Sequence, residues 1–182
     1  MDLNEKQVSS KKLFECFFMT LYEDTVLLPN QKQSTRIYLK HDGASAVLPI
    51  TKEGKLVLIK QFRYPIRKVV IEIPAGKKDD PNEDGLVCAK RELEEETGYV
   101  SSHFEKITDF HNCLGYSSEM IEIFIAKDCV KKENPEHGDE DEFIEIFEVT
   151  KEEAKQLLQD KVVTDAKTLV ALQYYFLSDT FE

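Results

Sequence analysis

One short acidic segment constrains the chain more than any other part of its sequence. The run R-E-L-E-E-E-T-G ends at Gly98, and on a helix its residues Glu92, Glu95 and Glu96 share one face because they are spaced i, i+3 and i+4. Residues 83–97 contain a single glycine, and a glycine directly after such a segment is typical of a helix C-cap. The sequence therefore predicts a helix that gathers three carboxylates on one face.

These carboxylates adjoin an apolar stripe formed by Leu86, Ala89 and Leu93, so the helix is expected to bury the neighbouring face. Acids held beside a core are costly unless a cation joins them, and a hard divalent cation, Mg²⁺ or Mn²⁺, prefers oxygen ligands. Arg91 is spaced to pair with Glu95 at i+4. The alternative is an ordinary solvated helix face, which is what a charge run usually indicates.

The charge balance narrows the classes of partner. The 182 residues include 24 Lys and Arg against 35 Asp and Glu, a formal net charge of −11. A chain of this length is typical of one folded domain with at most a small annex. The deficit of basic residues argues against nucleic acid and anionic membranes as partners. The acidic surplus lies in residues 79–96 and 133–145, so phosphate chemistry would need positive charge from a bound metal ion.

The N-terminal residues and the cysteines indicate the compartment. Residues 1–12 are polar and charged, and no apolar run approaches the roughly 18 residues of a membrane span. The four cysteines are scattered without a C-x-x-C pair. We therefore expect reduced thiols in a cytoplasmic protein without a signal peptide or membrane anchor.

The remaining pattern predicts a β-rich first half and a mixed second half. Residues 14–62 show β-prone runs broken by turn sequences, which indicates strands joined by hairpins. Further strands are predicted over residues 69–73, 104–111, 120–126 and 144–149. Thr150 and Glu153 form a capping box for a helix that ends near Gln159, and a last helix has its apolar face at Leu169, Leu172 and Phe176.

Two other readings of the polar residues are weak. Asp80, Asn82 and Asp84 match the first half of an EF-hand loop, but position twelve is Arg91 where bidentate Glu is needed. A second acidic cluster, residues 139–142, lacks the required glycine. His111 and Cys113 suggest a Cys-His nucleophile, but no third group that would orient the histidine can be identified.

The stretch from Gly76 to Tyr99 resembles the Nudix box, G-x5-E-x7-R-E-U-x-E-E-x-G-U, where U is a bulky apolar residue. The residues in register are Glu83, Arg91, Glu92, Leu93, Glu95, Glu96 and Gly98. Gly76 lies one residue further from Glu83 than the pattern specifies, so the intervening loop carries an insertion. The spacing within the helix is intact.

Four further segments are similar to the ADP-ribose pyrophosphatase branch of Nudix hydrolases: Q-F-R-Y-P (61–65), I-E-I-P-A-G-K (71–77), G-D-E-D-E-F (138–143) and D-A-K-T-L-V-A-L-Q-Y (165–174). This resemblance implies an α/β fold, the Nudix α/β/α sandwich with a mixed β-sheet over residues 44–182. A small N-terminal β subdomain, residues 1–43, would precede it and often exchanges across a homodimer in this branch.

The implied activity is Mg²⁺-dependent hydrolysis of the diphosphate bond of ADP-ribose or a related ADP-sugar, giving AMP and a sugar phosphate. Two or three ions would be held by Glu92, Glu96, Glu95 and the Ala75 carbonyl. The residues that position these acids would be Glu83 and Arg91. The general base would come from the acidic loop, as Glu140 or Glu142.

The resemblance also implies substrate contacts. Arg63 is the candidate for gripping a phosphate, because a guanidinium fork fits phosphate oxygens. Glu72 would accept a hydrogen bond from the adenine amino group, with ordinary solvation at a strand edge as the alternative, and Glu119 lies in the loop expected to contact substrate. Leu114 stands where this branch usually has a proline associated with ADP-ribose specificity.

That departure keeps other functions open. One alternative is a Nudix enzyme for a nucleoside triphosphate, NADH or another nucleotide sugar. Another is a non-catalytic ADP-ribose sensor, which the intact set of glutamates argues against.

Overall fold

The computed structural model describes residues 2–135, 138 and 142–178. The chain forms two compact units, the first made of Met1–Gly43 with His111–Met120 and the second of Ala44–Phe110 with Ile121–Glu182. Segment His111–Met120 thus groups with the N-terminal residues, which the sequence did not indicate. Within the described part, no helix is long and apolar enough to cross a membrane.

The first unit is built on a three-stranded antiparallel sheet. Its strands are β1 (Lys6–Glu15), β2 (Met19–Leu27) and β3 (Gln33–His41), in the order β1-β2-β3. Strand β1 starts in the polar segment to which the sequence analysis gave no strand, and all its residues are exposed. No one-sided apolar alternation marks it, because neither of its faces is buried in the described chain.

The second unit contains a mixed sheet and three helices. Its strands are β4 (Ala44–Thr51), β5 (Leu56–Arg63), β6 (Lys68–Glu72), β7 (Ala75–Lys77), β8 (Tyr99–Val100), β9 (His103–His111), β10 (Met120–Lys131) and β11 (Ile144–Val149). Strands follow the order β11-β5-β4-β10-β8, with β6 on β5, β7 on β4 and β9 on β10. Strands β4 and β10 pair in parallel, whereas the pairs β10–β8, β11–β5, β4–β5, β4–β7 and β5–β6 are antiparallel.

The helices are α1 (Gly85–Thr97), α2 (Lys151–Gln159) and α3 (Ala166–Ser178). They pack on both faces of the sheet. Ala46 and Leu48 of β4 belong to one hydrophobic cluster, with buried residues of α2 and α3, whereas Val47 belongs to a second cluster with Ala89 and Leu93 of α1. Because side chains alternate between the faces of a strand, the two clusters lie on opposite sides of the sheet. The predicted α/β/α sandwich with a mixed sheet is confirmed.

Local signals fix the helix ends. Asp84 caps α1 by accepting from the backbone amides of Leu86 and Val87, and Gly98 ends it with φ 69°. The helix begins two residues later than predicted, because the cap lies at Asp84 and leaves Glu83 in the preceding loop. The Thr150 capping box of α2 is present, with Glu153 as its partner. All four cysteines are free thiols, as expected.

Strand β7 lies beyond the end of the predicted strand 69–73 and was not predicted from the sequence. Ala75 pairs with Ala46 and Gly76 with Ser45, so the two residues extend the sheet. The strand is too short to show a period, and its existence depends on the exposed edge of β4. This pairing carries the main chain of Ala75 and Gly76 against α1.

Candidate active site

Helix α1 places two of the three predicted carboxylates in the protein interior. Glu92 and Glu96 are 9% and 6% exposed, and Glu95 is half-buried. The alternative of an ordinary solvated helix face is therefore wrong. The burial follows from the adjoining stripe, because Ala89 and Leu93 anchor α1 in the core.

Arg91 holds the acids together from the rim of the helix. Its Nη1 donates to Glu92 Oε1 at 2.7 Å and to Glu95 Oε2 at 3.1 Å. Its Nη2 donates to the Lys77 carbonyl at 2.9 Å and lies 3.4 Å from Glu83 Oε2. Glu83 also accepts from a backbone amide of its own loop, so the inserted residue leaves its contact with Arg91 in place.

Strand β7 lies against the carboxylates of α1. The Ala75 amide donates to Glu96 Oε2 at 2.9 Å. Gly76 lies so close to Glu92 that a Cβ atom placed there would fall 2.0 Å from Glu92 Oε1. A glycine is needed here for close approach, because the carboxylate occupies the space of a side chain.

The carboxylates carry more negative charge than their surroundings neutralise. Burial, with repulsion from Glu95 and Glu142, outweighs the favourable contact with Arg91 and raises the pKa of Glu92 to about 7. Burial and the charges of Glu142 and Glu92 also raise the pKa of Glu96 well above its usual range, although the Ala75 amide opposes this. A bound cation would lower both pKa values, because it would stabilise the ionised carboxylates.

These residues fit a hard divalent ion, since every side-chain donor is an oxygen. Within the described ranges, no three His, Cys, Asp or Glu side chains form a ready-made metal cage. Mg²⁺ usually takes one or two protein carboxylates and fills its shell with water and substrate phosphates.

A second charged group lies at the end of β6. Arg63 donates to Glu72 from Nε at 2.6 Å and from Nη2 at 2.7 Å, and Lys167 of α3 also contacts this carboxylate. Glu72 is 1% exposed, so solvation at a strand edge is wrong for this residue. Burial alone would raise the pKa of Glu72, but Arg63 and Lys167 together hold it below the usual value.

Sequence reasoning did not single out Lys167. It occupies the first turn of an apolar helix and is 7% exposed. A lysine in the D-A-K-T segment gave no periodic signal, because its partner Glu72 is distant in sequence and only the packing of α3 on β6 joins them.

The acidic segment is partly described. Glu142 accepts from Gln61 Nε2 at 2.8 Å, and its charge adds to the raised pKa values of Glu92 and Glu96. Glu140, the other predicted base, lies outside the described residues, as do residues 136, 137, 139 and 141. Gln61 is a second contact that sequence analysis missed.

The remaining predicted residues lie in the first unit. The Glu119 carboxylate is 3.7 Å from His41 Nε2 and 3.4 Å from Asn112 Nδ2. Cys113 accepts from the Tyr116 hydroxyl, whereas His111 contacts the Glu119 carbonyl. The contacts of this cysteine and histidine therefore do not form a nucleophile–base pair. Leu114 is 78% exposed.

The loop before α1 has structural uses for its acids. Asp80 accepts from the Asn82 amide in a local turn, and Asp84 caps the helix. Arg91, which occupies the twelfth position, instead braces the α1 glutamates. The EF-hand reading is therefore not supported by the contacts of its residues.

The chain is similar in sequence and in fold to known proteins. The family model described as "NUDIX domain" matches residues 39–172. The chain is 42% identical over 180 residues to the ADP-ribose pyrophosphatase of Bacillus subtilis (strain 168), covering 99% of this chain and 97% of that protein. It is 41% identical over 178 residues to the methanol dehydrogenase activator of Bacillus methanolicus, covering 98% and 96%.

A third relative is the GDP-mannose pyrophosphatase of Cronobacter sakazakii (strain ATCC BAA-894), 32% identical over 186 residues with 96% of each chain covered. Among solved structures, one titled "Crystal structure of ADP compounds hydrolase" superposes with a TM-score of 0.80, covering 96% of this chain and 94% of the other. At 20% identity this likeness concerns the fold alone. Because the family model spans most of the sequence and two relatives exceed 40% identity over nearly its whole length, the chain belongs to the Nudix family.

Proposed function

We propose that this Nudix protein hydrolyses the diphosphate bond of ADP-ribose or a related ADP-sugar, giving AMP and a sugar phosphate, in a reaction that depends on Mg²⁺. One observation carries the proposal: the buried Glu92 and Glu96 on α1, whose charge lacks a sufficient counterion. The relative of 42% identity that is named an ADP-ribose pyrophosphatase supports the substrate.

Glu92 and Glu96 are the proposed main metal ligands. Glu95 and the Ala75 carbonyl are the other proposed protein ligands, and together these groups would hold two or three Mg²⁺ ions. Mn²⁺ is the alternative ion. When bound, these ions would neutralise phosphate charge and lower the pKa of a water molecule. Arg91 keeps the carboxylates gathered, since it contacts both Glu92 and Glu95.

The acidic segment would supply the general base. Glu142 is held by Gln61 and its charge acts on the α1 carboxylates, which supports a place near the reacting water. Glu140 is the second candidate. Glu140→Gln and Glu142→Gln separate them: the base variant should lose kcat by about 10²- to 10⁴-fold, and equal, small losses in both would refute the assignment.

Arg63 is the proposed phosphate-binding residue. Two of its nitrogens are engaged by Glu72, and its side chain is 42% exposed, so the guanidinium is fixed and still reaches solvent. The saturated, buried carboxylate of Glu72 favours a supporting role over direct contact with adenine. Glu119 stays a candidate substrate contact, on the same segment as Leu114.

We also propose a homodimer assembled through residues 1–43, in the cytoplasm. Exposed apolar side chains on and after β1, including Leu13, Phe14 and Phe17, support association, and the four free thiols support a reducing compartment. Light scattering after size exclusion tests the dimer, and a monomer at micromolar concentration would contradict it.

A substrate panel tests the reaction. ADP-ribose, GDP-mannose, NADH and a nucleoside triphosphate would be compared by nucleotide release with Mg²⁺ and with chelator. We expect the highest kcat/KM for ADP-ribose and no turnover with chelator. With oxygen-labelled water, one of the two phosphate products should carry the label. Preference for another substrate would refute the ADP-sugar assignment, and binding of ADP-ribose without hydrolysis would identify a sensor.

A second candidate follows from the relative that is named a methanol dehydrogenase activator and is 41% identical. We propose as this alternative that the chain raises the activity of an alcohol dehydrogenase. Adding the wild-type protein, or its Glu96→Gln variant, to such an enzyme would test it. No stimulation by the wild-type protein would remove this candidate.

A further inference from the structure

A buried ion-pair network lies beside the α1 carboxylates. Its centre is Glu72, which accepts from Arg63 Nε and Nη2 and from Lys167 Nζ. Lys167 Nζ also lies 3.1 Å from Asp165 Oδ2. Both Glu72 and Lys167 are nearly inaccessible to solvent, whereas Arg63 reaches it.

A hydrogen bond from the main chain also holds the elements of this network together. Thr168, next to Lys167, is fully buried, and its Oγ1 accepts from the amide of Ile73, which follows Glu72. The same hydroxyl donates to Asp165 Oδ2 at 2.6 Å. The first turn of α3 is thus tied to the end of β6 by the Ile73–Thr168 hydrogen bond as well as by the Lys167–Glu72 ion pair.

Stability alone is a poor explanation for such a lysine. Burying an ammonium group costs several kcal/mol, and apolar replacements of buried ion pairs are often neutral or stabilising. Lys167 is also too buried to contact a substrate. Any effect of Lys167 on substrate binding must therefore act through its partner, Glu72.

Glu72 connects Lys167 to the candidate active site. Glu72 grips the Arg63 guanidinium by two of its three nitrogens, a fork geometry that sets the plane of the group. Arg63 and Lys167 each interact electrostatically with Glu96, the buried acid of α1. The network therefore adjoins the carboxylate site.

We propose that Lys167 is a positioning residue for phosphate binding: it holds the Glu72 carboxylate, and Glu72 holds the Arg63 guanidinium in one orientation. The inference rests on the proposed function, in which Arg63 binds a phosphate of a nucleoside diphosphate. Removing Lys167 frees one side of Glu72 and removes a positive charge behind Arg63. Phosphate binding is weakened, while the α1 carboxylates keep their own contacts with Arg91 and Ala75.

Steady-state kinetics with ADP-ribose give the first test. Lys167→Met should raise KM by about tenfold, the order expected when one charge-assisted hydrogen bond is lost, and change kcat less than threefold. Lys167→Arg, which keeps a charged donor, should recover most of the affinity. Lys127→Met is the matched control, because this lysine pairs with Glu105 at the surface. Equal KM for Lys167→Met and wild type, or a selective loss of kcat, would overturn the proposal.

A spectroscopic test is independent of activity. The Arg63 Nε–H signal in a ¹H–¹⁵N spectrum, assigned by its loss in Arg63→Lys, should be sharp and slow to exchange in wild type and in Lys167→Arg. It should broaden or exchange rapidly in Lys167→Met, or in Lys167→Gln if the methionine variant does not fold. An unchanged signal would overturn the positioning role. Absence of hydrolysis in wild type would refute the proposed function instead, and this signal would still decide whether Lys167 fixes the orientation of Arg63.

Discussion

A single methyl group at position 76 should inactivate the protein while leaving it folded. In Gly76→Ala the new Cβ would lie 2.0 Å from Glu92 Oε1, 2.1 Å from its Cδ and 2.3 Å from its Oε2. Since carbon and oxygen atoms pack at about 3.5 Å, the carboxylate must withdraw by roughly 1.5 Å. This movement is expected to break the 2.7 Å hydrogen bond between Glu92 and Arg91.

The displacement is expected to lower activity strongly while the protein stays folded. A carboxylate at the end of a flexible side chain can swing away, and the loss of one charge-assisted hydrogen bond costs about 1.5–3 kcal/mol at most. A misplacement of about 1 Å at a catalytic group can lower the rate 100-fold, or about 2.7 kcal/mol in transition-state stabilisation. We expect kcat/KM to fall at least about 100-fold and Tm by roughly 3–12 °C, at about 2–4 °C per kcal/mol for a chain of this size.

The assay is Mg²⁺-dependent release of AMP from ADP-ribose, with thermal unfolding measured on the same samples. Gly54→Ala is the matched control: Gly54 has φ 79° in the β4–β5 hairpin, and apart from its two chain neighbours no described residue has an atom within 4 Å of its Cβ position. Strain there should lower stability by about 1 kcal/mol and leave kcat/KM unchanged. Retention of a third or more of wild-type kcat/KM by Gly76→Ala would refute the reasoning, as would an equal loss in Gly54→Ala.

Three further predictions concern charge and capping. Glu96→Gln should abolish Mg²⁺-dependent turnover. In chelator at pH 8 its Tm should match or exceed that of wild type, because the raised pKa of Glu96 means that the charge of this residue opposes folding. A large drop in Tm would contradict this. Because the folded-state pKa of Glu72 lies below its usual 4.5, its stabilisation is present above that value and is lost as pH falls through the folded pKa. In urea titrations between about pH 7 and pH 3, Glu72→Gln should therefore be less stable than wild type at neutral pH, and its stability should fall less on acidification. The same pH dependence of stability in the variant and in wild type would contradict this. Thr150→Ala should cost about 1 kcal/mol in urea unfolding because it removes the cap of α2; Thr150→Ser should cost much less, and a loss below about 0.3 kcal/mol in the alanine variant would show that the cap is not needed.

Features that depend on neighbours in sequence were predictable. The carboxylate face of α1, its glycine end and the Thr150 box all follow from spacings of three and four residues, which a helix converts directly into contacts. Strand β11 likewise has the predicted bounds. Strand β1 was missed because its residues show no alternation.

The sequence by itself determined the set of glutamates on one face of α1 through their spacing, and its resemblance to the Nudix box indicated the family and implied the sandwich fold. Only the tertiary structure decided how far Glu92 and Glu96 are buried, that Gly76 leaves room for a carboxylate, and that Lys167 meets Glu72. The physical reason is that burial and ion pairing depend on which elements pack together. Strand β7 on β4 and α3 on β6 join residues far apart in the chain, and no local pattern records such contacts.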